Sequence, residues 1–278
     1  NDIKTILKGL EMEINNENEE GLTIEIPTYR VDVTRPADVV EDILRIYGYD
    51  KINIDSTVHS SLSYSPNPNS HKLQNLISNQ LTSCGFYEIM NNSLTKSAYY
   101  SALNEYKEEN CVRLMNPLSQ DLNVLRQTLL FGGLESIARN RNHKSLNLKL
   151  YEFGNCYYYH PERHRDDIVL SSYSEDYHLA LWIAGNKGPQ SWVRKEEKTS
   201  IFELKAYVEN IMKKAGVTKY EWVDAESELF NQAIGLKAGN GKQIAIIGSV
   251  SAKLTKAFDI DTEVFFADIN WNWLLKAL

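Results

Sequence analysis

The sequence predicts an α+β protein in two parts: a small helix-hairpin-helix module over residues 1–65 and a larger antiparallel sheet flanked by helices over residues 66–278. Three observations carry this. Apolar residues switch between helical and alternating spacing in mixed order, without the regular βαβ succession that a parallel sheet requires. The stretch SSLSYSPNPNS from Ser60 to Ser70 collects Ser, Pro and Asn, breaks both periodicities and marks the boundary. Charge divides there too: the first 65 residues hold 6 Lys and Arg against 13 Asp and Glu, whereas the rest of the chain holds 24 of each.

In the first part, Ile3, Ile6, Leu7 and Leu10 share one helical face. Met12 and Ile14, then Leu22, Ile24 and Ile26, alternate with polar residues as half-buried strands do, which leaves Asn15 to Gly21 as a hairpin loop. Val39, Val40, Ile43, Leu44 and Tyr47 form the stripe of a second helix that follows Pro36 and stops at Gly48. Beyond the boundary, Leu73, Leu76, Ile77, Leu81 and Cys84 predict a helix closed by Gly85, and a short strand follows from Phe86 to Asn92. Further helices are expected at 129–140, 202–215 and 252–258. Strands are expected at 148–153, 178–184, 243–250 and 263–269, with Gly239-Asn240-Gly241 as a hairpin turn.

Composition narrows the class. The 278 residues are 42% hydrophobic and 24% charged with a net charge of −7, which excludes a disordered tail, a collagen repeat and a coiled coil. Cys84, Cys111 and Cys156 are odd in number and form no CxxC pair, so a reducing, cytoplasmic setting is expected rather than a disulfide frame. The apolar runs near 179–184 and 264–267 are too short for a membrane span of about 20 residues. The absence of Met at Asn1 points to a piece of a longer protein. No GxSxG, GxxxxGK or GxGxxG motif occurs.

Three constellations could carry chemistry. Asp38, Glu41 and Asp42 lie at i+3 and i+4 spacing on one helical face, and Asp32 leads in; such oxygen donors suit Mg²⁺ or Ca²⁺. Acids in a helix's first turn also simply meet the positive end of its dipole. The stretch Asn116 to Lys144 combines an Asn-Pro turn, Arg126 ahead of a helix, and Gly132-Gly133, which permits close backbone approach. It ends in Arg139, Arg141, His143 and Lys144, a basic patch or an ordinary cation-rich helix end. Leu150 to Arg165 packs five aromatics, two His and two Arg into sixteen residues; a β-hairpin explains it better than base stacking, and Pro161 opposes a helical His160/His164 zinc pair.

Taken together, PTYRVDVTRPADVVEDILRIYGYD from Pro27 to Asp50, Asn116-Pro117-Leu118-Ser119, Leu125-Arg126, Leu129 and the strand Tyr151 to Gly154 resemble the β subunit of bacterial phenylalanyl-tRNA synthetase. The resemblance spans nearly the whole chain. It implies a small winged-helix-like domain binding Mg²⁺ through Asp32, Asp38, Glu41 and Asp42, where Asp42 replaces the usual Glu. It also implies a class II synthetase-like core that pairs with a catalytic α subunit in an (αβ)₂ assembly and binds tRNA(Phe).

An active class II site holds ATP with two arginines, whose planar guanidinium groups stabilise developing phosphate charge bidentately. Laying that pattern on Glu152 to Tyr158 puts Tyr158 where the first arginine belongs, and no arginine follows Arg194. Lysine is a poor replacement. The resemblance therefore implies a non-catalytic portion of phenylalanine-tRNA ligase, with the helix His71 to Cys84 and residues 116–142 as partner surfaces. The alternatives are a stand-alone nucleic-acid-binding winged-helix module, which the net charge opposes, and an adenylate-forming ligase of class II fold, which needs the absent arginines.

Overall fold

The computed structural model describes residues 2–19, 21–53, 57, 60–61, 69–168, 170–188, 191–193, 195–239 and 241–278. Residues 62–68 of the Ser/Pro/Asn-rich stretch and Asn240 of the Gly-Asn-Gly turn lie outside the described residues. The contacts within the chain divide it into residues 1–65 and 66–278, and each unit has a core of its own.

The small unit contains α1 (Asp2–Gly9), β1 (Glu13–Asn18), β2 (Gly21–Glu25) and α2 (Pro36–Tyr47). Leu7, Met12 and Val33 are its buried centre, with Ile14, Leu22, Ile24, Val39 and Ile43 packed around them. The hairpin loop is shorter than the side-chain pattern suggests, because β1 continues through Asn18 after a bulge between Ile14 and Asn16. Pairing such as Asn16 with Thr23 and Glu17 with Leu22 uses backbone groups, so polar side chains facing water do not end the strand. At the end of α2, Gly48 takes a φ of 96° and its N–H donates to the Leu44 carbonyl at 2.8 Å.

The large unit runs α3 (Ser70–Ser83), β3 (Tyr87–Glu88), β4 (Leu94–Thr95), β5 (Val124–Leu125), α4 (Leu130–Asn142), β6 (Leu148–Tyr159), β7 (Tyr173–Ala184), α5 (Ile201–Ala215), β8 (Tyr220–Ala225), β9 (Phe230–Ala238), β10 (Gln243–Val250), α6 (Ala252–Ala257), β11 (Val264–Asn270) and α7 (Trp271–Leu275). Among the described residues the main sheet has seven strands in the order β3-β6-β7-β11-β10-β9-β8. It is mixed rather than antiparallel. β3 runs parallel to β6, and every other neighbouring pair is antiparallel. The long connection from β3 to β6, which contains α4, lets the chain cross over and return in the same direction.

Alternation assigns each face of the sheet. Leu179, Leu181 and Ile183 of β7 and Phe265, Ala267 and Ile269 of β11 meet Ile77 and Leu81 of α3, Leu204 and Val208 of α5, and Trp271 and Leu274 of α7. The opposite set, Ala180, Trp182 and Ala184 with Val264 and Phe266, meets Leu130, Phe131, Leu134 and Ile137 of α4. The close approach expected at Gly132-Gly133 occurs here: a Cβ on Gly133 would stand 2.1 Å from the Trp182 ring, and one on Gly132 2.9 Å from Asn91.

A buried ion pair ties α4 to this face. Arg126 Nη1 donates to Glu152 Oε1 at 2.6 Å, and Arg126 Nε donates to the Asn155 carbonyl at 3.0 Å. Glu152 also accepts from the backbone N–H and side-chain amide of Asn91. Gly154 makes room, since a Cβ there would lie 2.1 Å from the guanidinium. Arg126→Met leaves the Glu152 carboxylate buried without its cation and should cost about 3–5 kcal/mol in urea unfolding. Arg113→Met, at the exposed pair with Glu108, should cost no more than about 1 kcal/mol.

Candidate functional site

The four acids of the small unit do not converge. Arg30 donates to Asp32 through Nε at 3.2 Å and Nη2 at 3.0 Å, and the same Nη2 reaches Asp42 at 2.6 Å. Asp38 turns back over the start of α2, accepting from the Thr34 N–H at 3.0 Å, the Arg35 N–H at 2.8 Å and the Arg35 guanidinium at 3.0 Å. The Arg35 side chain and these backbone donors hold the Asp38 carboxyl down to about 2. Glu41 is exposed. Among the described residues no three His, Cys, Asp or Glu side chains come together to hold a metal ion. In this arrangement the Arg30 guanidinium serves as the cation between Asp32 and Asp42.

The basic patch lies at the C-terminal end of α4, where cations meet the negative end of the dipole. Arg141 pairs with Asp261, and Lys144 takes a left-handed φ of 64° as the chain leaves the helix. The aromatic stretch belongs to a hairpin: β6 carries its first part, and its charged part forms the turn to β7. His160 and His164 engage separate hydroxyls, Ser174 and Ser172.

A cavity of about 540 Å³ opens on the same sheet face that α4 covers further along. Tyr158 stands opposite Ser174, Cys156 opposite Asp176, and Gly154 opposite His178, which in turn faces Asn270. The residues that continue the Trp182 parity thus become polar where α4 ends. His178 Nδ1 lies 2.7 Å from Asp268 Oδ1. The N–H of Trp273 donates to Asn270 Oδ1 at 2.9 Å as the cap of α7, which turns the Asn270 amide N–H toward His178 Nε2 at 3.4 Å. The neutral ring consequently carries its proton on Nδ1 and donates it to Asp268. Sequence reasoning missed this pair. The signal was the alternation Ser174, Asp176, His178 leading into Ala180 and Trp182, with its partner Asp268 ninety residues away.

Tyr158, at the position compared above with the first class II arginine, lines this cavity. Among the described residues the one arginine on its wall is Arg163, from the β6–β7 turn, with its side chain 57% exposed. β11 and α7 contribute none, as no arginine follows Arg194.

Two outcomes follow. Burial opposes protonation of His178, but the charge and hydrogen bond of Asp268, with Asp176 behind them, outweigh it and raise its pKa above 6.5. The pair's contribution to stability is full below the unfolded value and disappears as pH rises through the raised one. NMR titration of the His178 ring should show that raised midpoint, and Asp268→Asn should lower it. Separately, raising Mg²⁺ from none to roughly 10 mM should leave the thermal midpoint of the chain unmoved, and Arg30→Met should make it Mg²⁺-dependent.

The family model for the phenylalanyl tRNA synthetase beta chain CLM domain matches residues 31–271, and that for the tRNA synthetase B5 domain matches residues 1–49. The chain is 52% identical over 279 aligned residues to the phenylalanine–tRNA ligase beta subunit of Bacteroides thetaiotaomicron, covering 99% of this chain and 34% of that relative. It is 42% identical to the corresponding subunit of Porphyromonas gingivalis, with coverage of 99% and 34%. The chain thus spans about a third of the length of the curated relatives it matches. Pyrrolysyl-tRNA synthetase from Desulfitobacterium hafniense superposes with a TM-score of 0.55 at 15% identity, over 75% of this chain and 69% of that one, and so shares the fold. Among the described residues no helix is long and apolar enough to cross a membrane. The matches extend through both units, and the chain belongs to the phenylalanyl-tRNA synthetase β-chain family.

Proposed function

We propose that this chain is the non-catalytic, synthetase-like portion of the β subunit of a cytoplasmic phenylalanine-tRNA ligase. It supports a catalytic α subunit in an (αβ)₂ assembly that uses ATP to charge tRNA(Phe) with phenylalanine, and its contribution is assembly and tRNA binding. Residues 1–65 form a winged-helix-like module in this reading, and residues 66–278 an inactive class II core.

The observation that carries the reading is the wall of the cavity. Adenylate formation gathers negative charge on phosphate oxygens and calls for guanidinium groups placed on both sides of them. Here Tyr158 stands on β6, and β11 and α7 supply no arginine; among the described lining residues Arg163 is the one arginine, and it is exposed on the rim. The chain's own residues can shape a pocket and hold a proton between His178 and Asp268, but they cannot clamp a triphosphate. Assembly is supported by apolar side chains left uncovered in the large unit: Tyr87, Met90, Met115 and Leu118, the last two 95% exposed. Leu118 belongs to the Asn-Pro-Leu-Ser stretch that the resemblance singles out. Mg²⁺ bound through Asp32, Asp38, Glu41 and Asp42 belongs to this reading only if Arg30 is displaced from its carboxylates.

The chain by itself should catalyse no pyrophosphate exchange above background, and it should co-purify with an α subunit co-expressed with it. Met115→Asp with Leu118→Asp should abolish that co-purification while leaving the unfolding midpoint unchanged. Exchange activity in the isolated chain, or failure of the unsubstituted chain to bind an α subunit, would overturn the proposal.

A further inference from the structure

We propose that two copies of this chain pair through strand β8, antiparallel and edge to edge, and so join their main sheets directly, without an α subunit. β8 ends the sheet order, and among the described residues no strand lies on its outer side. The Gly239 N–H donates to the Lys219 carbonyl at 2.9 Å, one step beyond the pairing of Tyr220 with Ala238 in the β8–β9 ladder. Backbone groups alternate sides along an antiparallel strand. Lys219, Glu221, Val223 and Ala225 therefore bond toward β9, and the N–H and C=O groups of Tyr220, Trp222 and Asp224 face outward. No loop backbone among the described residues bonds to them. Proteins commonly blunt such an edge with a proline, a bulge or a very short strand. β8 has none of these: its six residues contain no proline and pair with β9 in unbroken register.

The side chains select the occupant. In the pairing centred on Trp222, outward-facing residues meet one another: Trp222 lies opposite Trp222 of the second copy, and Tyr220 opposite Asp224. Each pair exchanges both hydrogen bonds, and a two-fold axis through the Trp222 pair repeats every contact. No like charges stand opposite, since Glu221 faces Val223 and Lys219 faces Ala225. Sliding one way by two residues sets Glu221 against Glu221, and sliding the other way puts Tyr220 beyond the end of the facing strand. The centred pairing avoids both. Beside this edge, Phe202 at the start of α5 is 77% exposed and, with Lys205, Trp222 and Asp224, lines a hollow of about 290 Å³. Tyr220, Trp222 and Asp224 share one face of the sheet, so the pairing brings Tyr220 of the second copy to that hollow, next to Phe202. The contact uses the opposite edge of the sheet from β3, whose Tyr87 is among the side chains assigned above to the α subunit. It stands or falls apart from that assignment.

Sedimentation velocity of the 278-residue chain from roughly 1 to 200 μM should show a monomer–dimer equilibrium. Asp224→Pro removes an outward N–H that β9 does not use, so it should weaken the dimer about tenfold or more and leave the unfolding midpoint in place. Val223 faces Glu221 on both sides of the axis; Val223→Lys should tighten the dimer and Val223→Glu loosen it, each by about fivefold. Met115→Asp with Leu118→Asp should leave the dimer intact. A monomer throughout, the result expected if the edge instead serves a strand of another protein, would overturn the proposal. So would loss of the dimer in that double variant, unchanged association after Asp224→Pro, or Val223→Lys and Val223→Glu shifting it in the same direction.

Discussion

A guanidinium buried against the sheet organises the large unit. Arg126 arrives from the segment that follows β5, crosses over Gly154, and meets Glu152 in the middle of β6, while Asn91 from the segment after β3 closes the other side of the carboxylate. Three parts of the chain far apart in sequence are thereby held at one point. Burying two charges is expensive, and the arrangement is tolerable because both partners have further hydrogen bonds: the guanidinium to the carbonyls of Asn155 and Asn91, the carboxylate to the amide groups of Asn91. A pair of this kind contributes less to net stability than an apolar cluster would, but breaking it is costly, so it penalises any other placement of α4.

With α4 in place, the sheet face behaves as two halves. Under the helix, small and large residues interlock: Gly133 accepts the Trp182 ring, Phe266 lies beside Trp182, and Gly248 leaves space for Phe230. Beyond the helix the same rows of the sheet carry Asp268, His178, Asn270 and Asp176, and these line a cavity. The fold is that of a tRNA synthetase core, but the chemistry of the open half differs from that of an ATP site. Its polar groups are arranged as carboxylates around an imidazole rather than as guanidinium groups around phosphates.

The small unit solves its charge problem internally. Its excess of carboxylates would repel along α2, yet Arg30 bridges Asp32 and Asp42, and Asp38 closes the first turn with Arg35. Asp32, Asp38 and Asp42, three of the acids that the sequence offers as a ligand set, take part here in capping and ion pairing. This outcome was invisible in the acids themselves, because Arg30 lies outside their spacing.

Much of the molecule could be read without coordinates wherever a local pattern had one meaning. Helical stripes closed by Gly48 and Gly85, and the alternation of β7, β10 and β11, are properties of the backbone period, and they appear in the structure within a few residues of where the pattern places them. The strands β8 and β9 and the short helix α7 were not legible: β8 is only partly buried, β9 is interrupted by Gly235, and five residues of α7 make little more than one turn. The absence of arginine after Arg194 was likewise a fact of sequence and bears directly on the chemistry of the cavity. Tertiary structure alone decided which pairs meet. The parallel entry of β3 beside β6, the union of Arg126 with Glu152 and the pairing of His178 with Asp268 all depend on strand order and register, which fix contacts across tens of residues that no periodicity encodes.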